Sequence, residues 1–199
     1  MSPFTTVPDK ATGDVFTEAM WDTYIRDNFN SAVPMYIASG ILGSDTASIT
    51  LTPIPALWTH LMLLTIARSS VAATVDPFLL RFNGDTGANY DHQIIQGDQA
   101  TMTAAESFAA TSTQIGFLPG STAVASSFAA VRTVIMDYTD TANFKALISA
   151  SAHRYTGTPD QRQIMTAGDW KSTTVISSLT VFCGANLLTG TRISLYGMQ

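Results

Sequence analysis

The 199-residue chain has little cysteine and little charge, and each shortage excludes a class of protein. Cys183 is its only cysteine, so no intramolecular disulfide can form, and no Cys/His group has the spacing of a zinc site. Charged residues make up 13 % of the chain, about half of the roughly 25 % that is usual in soluble domains. The ten basic residues are scattered, so we expect no direct contact with nucleic acid.

Long apolar segments are missing as well. The N-terminus has no basic stretch followed by an apolar core, and no run approaches the ~20 apolar residues of a membrane span. The sequence therefore predicts a protein that is made and kept soluble, without a membrane partner.

Hydroxyl side chains take the place of the missing charges. Serine and threonine together number 46, and threonine in particular suits a half-buried strand. From about residue 45 onward the polarity alternates and turn signals recur at strand-like intervals. The predicted strands are 46–52, 57–68, 77–82, 90–96, 99–107, 113–118, 126–137, 143–154, 173–183 and 190–196. So many short strands without a repeated sequence unit predict an all-β fold, a jelly-roll β-sandwich over residues 34–199.

Several segments of this domain allow more specific predictions. Residues 61–64 are apolar on both faces, which indicates a central strand, either between the two sheets or beneath a subunit contact. Cys183 alternates with polar residues and should face the core as a small hydrophobe. Residues 137–143 separate two long alternating runs and predict a hairpin connection.

The 155–171 stretch contains glycine, proline and a run of polar residues, and we interpret it as a long exposed loop. Such a loop could recognise a partner. Its candidate recognition residues are Asp160, Gln161, Arg162 and Trp170.

Residues 1–33 are predicted to form a separate N-terminal part. Residues 1–16 are rich in Pro, Thr and Asp without any period, as in an extended arm. Thr17 can cap an amphipathic helix that ends before Pro34, since its apolar residues recur at helical spacing. The arm and helix are the expected assembly contacts, and the side chains predicted to make them are Phe4, Phe16, Trp21, Tyr24, Ile25 and Phe29.

Residues capable of chemistry are sparse and lack catalytic or metal-binding spacing. His60, His92 and His153 each lie in a predicted strand without a second ligand nearby, which favours ordinary strand histidines over metal ligands or a general base. Residues 83–91 concentrate side-chain oxygens and could wrap Ca²⁺, but their glycines and asparagines favour a tight turn. Only two glutamates and no nucleophile or nucleotide motif occur, so we expect no enzymatic activity and no cofactor.

Four aromatic residues leave an alternative open. They could line a glycan-binding surface, although core or subunit contacts are commoner for such side chains. These residues are Trp58, Tyr155, Trp170 and Tyr196.

Three stretches resemble segments of tailed-bacteriophage virion proteins. Residues 21–30 (WDTYIRDNFN) resemble the W-N-x-Y-(V/I)-R-D-N helix near the N-terminus of many such proteins, with Asp22 in place of the expected asparagine. Residues 80–90 (LRFNGDTGANY) resemble a strand-turn-strand of their jelly-roll modules, and residues 190–197 (GTRISLYG) resemble their closing strand. The three stretches cover about 30 residues and span the chain in order.

This resemblance implies a homotrimeric jelly roll in the virion, assembled in the host cytoplasm. A capsid decoration (cement) protein that binds the major capsid protein or another virion protein is favoured, since the chain is short and lacks a fibrous stalk. The alternative is a tail-fibre or head-fibre module that recognises host surface glycan. A third class, a polysaccharide-degrading enzyme, would require catalytic Asp or Glu residues.

Overall fold

The computed structural model describes residues 17–21, 33–98, 100–154 and 161–199, and these ranges hold twelve β-strands and one helical turn, α1 (Glu18–Met20). The strands are β1 (Met35–Ile41), β2 (Thr46–Leu51), β3 (His60–Ala67), β4 (Val75–Phe82), β5 (Tyr90–Asp98), β6 (Thr101–Ala110), β7 (Thr113–Pro119), β8 (Ala129–Ile135), β9 (Lys145–Arg154), β10 (Gln161–Trp170), β11 (Leu179–Leu187) and β12 (Arg192–Met198). The all-β prediction is confirmed.

The strands form two antiparallel sheets. The larger sheet has the order β1-β12-β3-β8-β9-β10-β5-β6, and the smaller has the order β2-β11-β4-β7. Apolar side chains from both sheets join one buried cluster, for example Phe78 and Leu80 of β4 with Leu61 and Leu63 of β3. Strand β7 contacts β8, β9 and β10, so the smaller sheet packs across the middle of the larger one. This arrangement is consistent with a β-sandwich.

Strand β9 illustrates how the sequence produces this packing. Buried and exposed residues alternate at every position from Lys145 to Arg154, because successive side chains of a strand point to opposite faces. Leu147 faces the core, whereas Ile148 and Ala150 face away from it. The strand therefore divides one sequence run between two different surfaces.

Part of the sandwich interior is polar and uses the abundant hydroxyl groups. The Thr133 and Ser149 hydroxyls are 2.9 Å apart, and the Ser149 hydroxyl donates to the Ile115 carbonyl at 2.6 Å. Gly116 lies so close to β9 that a Cβ there would come within 2.5 Å of the Ser151 hydroxyl oxygen. Small hydroxyl and glycine positions thus let β7 approach β8 and β9 closely.

The turn interpretation of residues 83–91 is confirmed. Asn83 and Gly84 adopt positive φ angles of 52° and 68° between β4 and β5. The Asn83 carboxamide also ties this turn to the chain before β11: its oxygen accepts the Ser177 N–H at 2.8 Å, and its Nδ2 donates to the Val175 carbonyl at 2.8 Å. The predicted hairpin connection at 137–143 is confirmed too, since it joins the paired strands β8 and β9.

The predicted exposed loop at 155–171 is wrong over its second part. Residues 161–170 form β10, which pairs with β9 on one side and β5 on the other. The two-residue period was hidden because each face of β10 mixes polar and apolar side chains. Positions 162 and 164 face inward with Arg162 and Ile164, and positions 163 and 165 face outward with Gln163 and Met165.

Two further differences concern strand positions. Strand β1 was not predicted, because a β-bulge between Tyr36 and Ala38 breaks its two-residue period. The strand predicted at 173–183 starts only at Leu179, and residues 173–178 form the connection held by Asn83.

Most of the predicted arm and helix, including Phe4, Phe16, Tyr24, Ile25 and Phe29, lies outside the described residues. The predicted cap is confirmed, since the Thr17 hydroxyl accepts the Met20 N–H at 3.3 Å. Trp21 is 55 % exposed.

Candidate functional site

The larger sheet has one face toward the smaller sheet and one face turned away from it, which we call the outer face. The strand register places its central side chains in three rows. The rows are Ile66, Ala130, Ala152, Gln163, Gly97 and Met102; Leu64, Arg132, Ala150, Met165, Ile95 and Ala104; and Met62, Val134, Ile148, Ala167, Gln93 and Glu106.

The outer face is unusually apolar for an exposed surface. Its large side chains Ile66, Ile95, Met102, Ile148 and Met165 are between 45 % and 69 % exposed. Alanine occupies many of the positions between them, which keeps the surface flat. Contiguous exposed apolar surface of this kind marks an interaction site more often than an ordinary surface.

A shallow concavity of ≈ 710 Å³ runs across the outer face from β12 to β10. Leu64, Ile66 and Met165 form its floor, and Arg132 and Arg192 lie beside them. The concavity is wide and lacks clustered acids or nucleophiles, so its shape suits a packing partner better than a small substrate.

Charge is distributed unevenly over the outer face. The basic side, formed by β12, β3, β8 and β9, carries Arg192, Arg132 and, at the end of β9, Arg154. The acidic side, formed by β10, β5 and β6, carries Asp169, Asp91 and Glu106.

Asp91 on the acidic side is held in its ionised form. Its Oδ1 accepts Lys171 Nζ at 2.8 Å and the Ala109 N–H at 2.7 Å. These two hydrogen bonds lower the pKa of the Asp91 carboxyl, and the one from Lys171 has the larger effect. Asp169 is the direct neighbour of Asp91 in the register, so two carboxylates lie at this end of the sheet, one of them paired with Lys171.

The candidate recognition residues of the 155–171 stretch are not brought together on a loop. Trp170 is 3 % exposed, so its prediction as a recognition residue is wrong. Arg162 faces inward and forms an ion pair with Asp98 at 2.7 Å. Gln161 is exposed at the start of β10, and Asp160 lies outside the described residues.

Trp170 belongs to an aromatic cluster beneath the 83–91 turn. Its ring lies 5.5 Å from that of Phe82 and 6.4 Å from that of Tyr90. Its indole N–H donates to Asp85 Oδ2 at 2.7 Å, and Asn89 and the Gly87 N–H also donate to this carboxylate. These hydrogen bonds lower the pKa of Asp85, and the one from Trp170 has the largest effect. The oxygens of Asp85 therefore serve the turn itself.

The histidines and the cysteine occupy strands, as predicted. His60, His92 and His153 lie in β3, β5 and β9. Cys183 is buried in β11 with its Sγ 3.2 Å from the Ala185 carbonyl oxygen, and burial raises the pKa of its thiol. Among the described residues no three His, Cys, Asp or Glu side chains group as a metal site, and no described helix has the length and apolar character to cross a membrane.

His153 provides a test of the interior by pH. Burial and the positive charge of Arg162, its direct neighbour across the strand pair, lower the pKa of His153 to about 4. In the unfolded chain the histidine pKa is about 6.5. As the pH falls, the unfolded chain therefore binds a proton at His153 before the folded chain does. The free energy of unfolding should keep its full value above about pH 6.5 and decrease by about 2–3 kcal/mol toward about pH 4.

Urea unfolding of the wild type and of His153→Gln at about pH 7 and about pH 4.5 measures this effect. The variant should lose less stability between the two pH values than the wild type. An NMR titration of the His153 ring that shows a midpoint near the unperturbed value would contradict the expectation, whatever the stability of the variant.

The outer face itself was not predicted as a site. The apolar run 61–64 gave a first signal: its strand β3 lies between β12 and β8, with Leu61 and Leu63 inward and Met62 and Leu64 outward. The central position predicted for this strand is confirmed. The alanines of β9 carried a second signal, since a strand that alternates buried residues with exposed alanines has no polar face.

The described residues define an all-β protein of two antiparallel sheets, one of which exposes an apolar face. No family model, no curated protein and no solved structure matches the chain.

Proposed function

We propose that this chain is a jelly-roll structural protein of a tailed-bacteriophage particle, and that it acts as a homotrimeric capsid decoration protein on the outer shell. It works by binding the major capsid protein or another virion protein, without catalysis and without a cofactor. The observation that carries the proposal is the strand order of the two sheets, which agrees with the module that the sequence resemblance implies.

The order of the strands in the two sheets follows a single pattern. Without the hairpins β5–β6 and β9–β10, eight strands remain, and they alternate between the two sheets along the chain except that the fourth and fifth both lie in the smaller sheet. Numbered one to eight, they form sheets of order 1-8-3-6 and 2-7-4-5. First pairs with last, second with seventh, third with sixth and fourth with fifth, as in a long hairpin rolled into a double Greek key. This order supports a jelly roll.

The two additional hairpins widen only one sheet. β9–β10 continues the larger sheet beyond β8, and β5–β6 continues it beyond β10. A sheet of eight strands over one of four has a much larger outward face than a minimal jelly roll requires. Such a widened face favours a protein that functions by contact with other proteins.

The resemblance of residues 21–30 to a phage virion helix supports an attachment role for the N-terminal part. Trp21, the first residue of this motif, is more than half exposed and could contact another subunit or the shell. Many weak contacts from several identical copies would give stable attachment, because linked binding events raise the overall affinity.

A fibre module that recognises glycan is the second candidate. Such a site needs exposed aromatic residues in a cluster, whereas Trp170 is buried and Trp58 packs against the core, over Gly197. Of the four aromatic residues that could have formed this surface, one is therefore buried and a second is partly buried against the core. This observation favours the decoration protein.

Binding to expanded capsid shells that lack decoration protein tests the proposal. The full chain should co-sediment with the shells, and a variant without residues 1–33 should keep its strand content by circular dichroism but lose at least about ten-fold in affinity. A variant without residues 1–16 separates the contribution of the arm from that of the helix. Undiminished binding after removal of 1–33 would overturn the anchoring role, and binding to host cells instead of shells would favour the fibre module.

A further inference from the structure

We propose that the outer face is the surface through which copies of this chain associate with one another, with the basic side of one copy against the acidic side of the next. Only the expected number of copies, three, rests on the proposed function. The location of the contact rests on the size, the composition and the charge pattern of the face.

The area of the outer face matches that of a stable protein contact. Eight strands spaced ~4.8 Å apart span about 34 Å, and the outward residues of each strand cover about 17–20 Å along it, which gives on the order of 600–700 Å². A standard protein interface buries about 800 Å² per partner. A contact that used the whole face would therefore reach nearly the area that a specific complex needs, and each contact of a ring would use about half of it.

The composition of the face is that of an interface centre. Interface centres are depleted in charge and enriched in methionine, aromatic residues and arginine. Met62, Met102 and Met165 lie in the three rows, and the carboxylates lie toward one edge of the sheet. The alanines between the larger side chains would let two sheets approach to the ~10 Å that is typical of face-to-face packing.

The charge pattern selects a second copy as the occupant and restricts its orientation. Arg132 and Arg192 lie on one side, and Asp169 and Glu106 on the other, so the face is electrostatically complementary to itself. A two-fold axis running across the strands would oppose each side to its own like charges. A two-fold axis along the strands, or a cyclic head-to-tail arrangement, opposes unlike charges at every contact, and three head-to-tail contacts close a ring.

The mass of the full-length chain in solution, measured by light scattering and native mass spectrometry, tests this proposal. The wild type should be a trimer if the proposed function holds, and a dimer that Met165→Asp disperses would support the outer face as the contact while contradicting the number of copies. Met165→Asp puts a carboxylate in the centre of the face, and it should weaken association at least about 100-fold, because an unpaired charge would be buried. Ser48→Asp, on an exposed position of β2 in the smaller sheet, is the matched control and should remain associated.

Charge reversal tests the orientation. Arg132→Glu with Arg192→Glu should weaken association, and so should Glu106→Arg with Asp169→Arg, because each pair of substitutions makes both sides alike. The four substitutions combined exchange the two sides and should restore association in large part. Circular dichroism and thermal unfolding establish that each variant is folded. If the folded fourfold variant associates no more strongly than the two double variants, the charge-paired orientation is overturned.

Other occupants of the face would give different results. If the N-terminal part of the same chain covers the face, the wild type is a monomer and removal of residues 1–33 creates self-association, which overturns the proposal. A protein that is monomeric both with and without residues 1–33 overturns the proposal too, as does a trimer that survives Met165→Asp. A wild-type trimer dispersed by Met165→Asp that does not bind shells supports this inference while contradicting the decoration function.

Discussion

Replacing Trp170 with alanine is expected to lower the free energy of unfolding by about 3–5 kcal/mol. The side chain is 3 % exposed and packs against the rings of Phe82 and Tyr90, so the substitution leaves a cavity in the aromatic cluster. It also removes the indole donor from Asp85, whose carboxylate holds the 83–91 turn. Urea unfolding followed by circular dichroism measures the loss.

Two variants separate the contributions at this position. Trp170→Phe keeps most of the ring packing and should cost less than the alanine variant, since it mainly loses one hydrogen bond to a charged acceptor, about 1.5–3 kcal/mol. Trp21→Ala, at a tryptophan that is more than half exposed, should cost less than about 1 kcal/mol. A Trp170→Ala variant as stable as Trp21→Ala would contradict the buried position of Trp170.

Arg68→Met should destabilise the protein by about 3–5 kcal/mol. The guanidinium is buried and donates to four backbone carbonyls of the segment before β8: Nη1 to Val124 at 2.7 Å and Ser127 at 3.1 Å, and Nη2 to Gly120 at 2.9 Å and Ala123 at 3.2 Å. Methionine fills a similar volume but has no N–H donors, so these four carbonyl oxygens lose their hydrogen bonds to the guanidinium. Hydrogen exchange over residues 120–128 should become faster along with the loss of global stability.

The segment before β8 requires the geometry of the Arg68 guanidinium as well as its charge. Arg68→Lys keeps a cation but cannot present two parallel pairs of donors, so it should fall between wild type and Arg68→Met. Arg81→Met provides a matched control, because Arg81 is only partly buried and donates a single described hydrogen bond, to Thr111. Equal losses for Arg68→Met and Arg81→Met would contradict the role assigned to Arg68.

The sequence predicts the strands of this protein better than their arrangement. Local alternation identified ten strands, and strands such as β3, β8 and β9 separate a buried from an exposed set within a few residues. It missed β10, where Arg162 faces inward against Asp98 and Met165 faces outward. An inward arginine and an outward methionine both contradict the rule that apolar side chains face the core and charged side chains face solvent. The ion pair with Asp98 explains the arginine, whereas Met165 is 60 % exposed on the outer face.

The pairing of distant strands was beyond sequence reasoning. The partner of β1 is β12 and the partner of β2 is β11, and no local signal encodes such pairs. For the same reason the outer face was not predicted, since its rows join residues from strands far apart in the chain. The N-terminal contact residues other than Trp21 lie outside the described residues and stay predictions.

The positions of β11 and β12 have a consequence for how the protein is synthesised. These last two strands of the chain are inner strands: β12 lies between β1 and β3, and β11 lies between β2 and β4. A ribosome adding about 5–20 residues per second needs roughly 10–40 s for the whole chain. During that time β1 has no partner strand in its sheet, and β2 has none in its own. A stalled or truncated nascent chain would therefore present unpaired strand edges in both sheets at once, so the yield of the protein should depend strongly on chaperones that protect the chain until its final residues emerge.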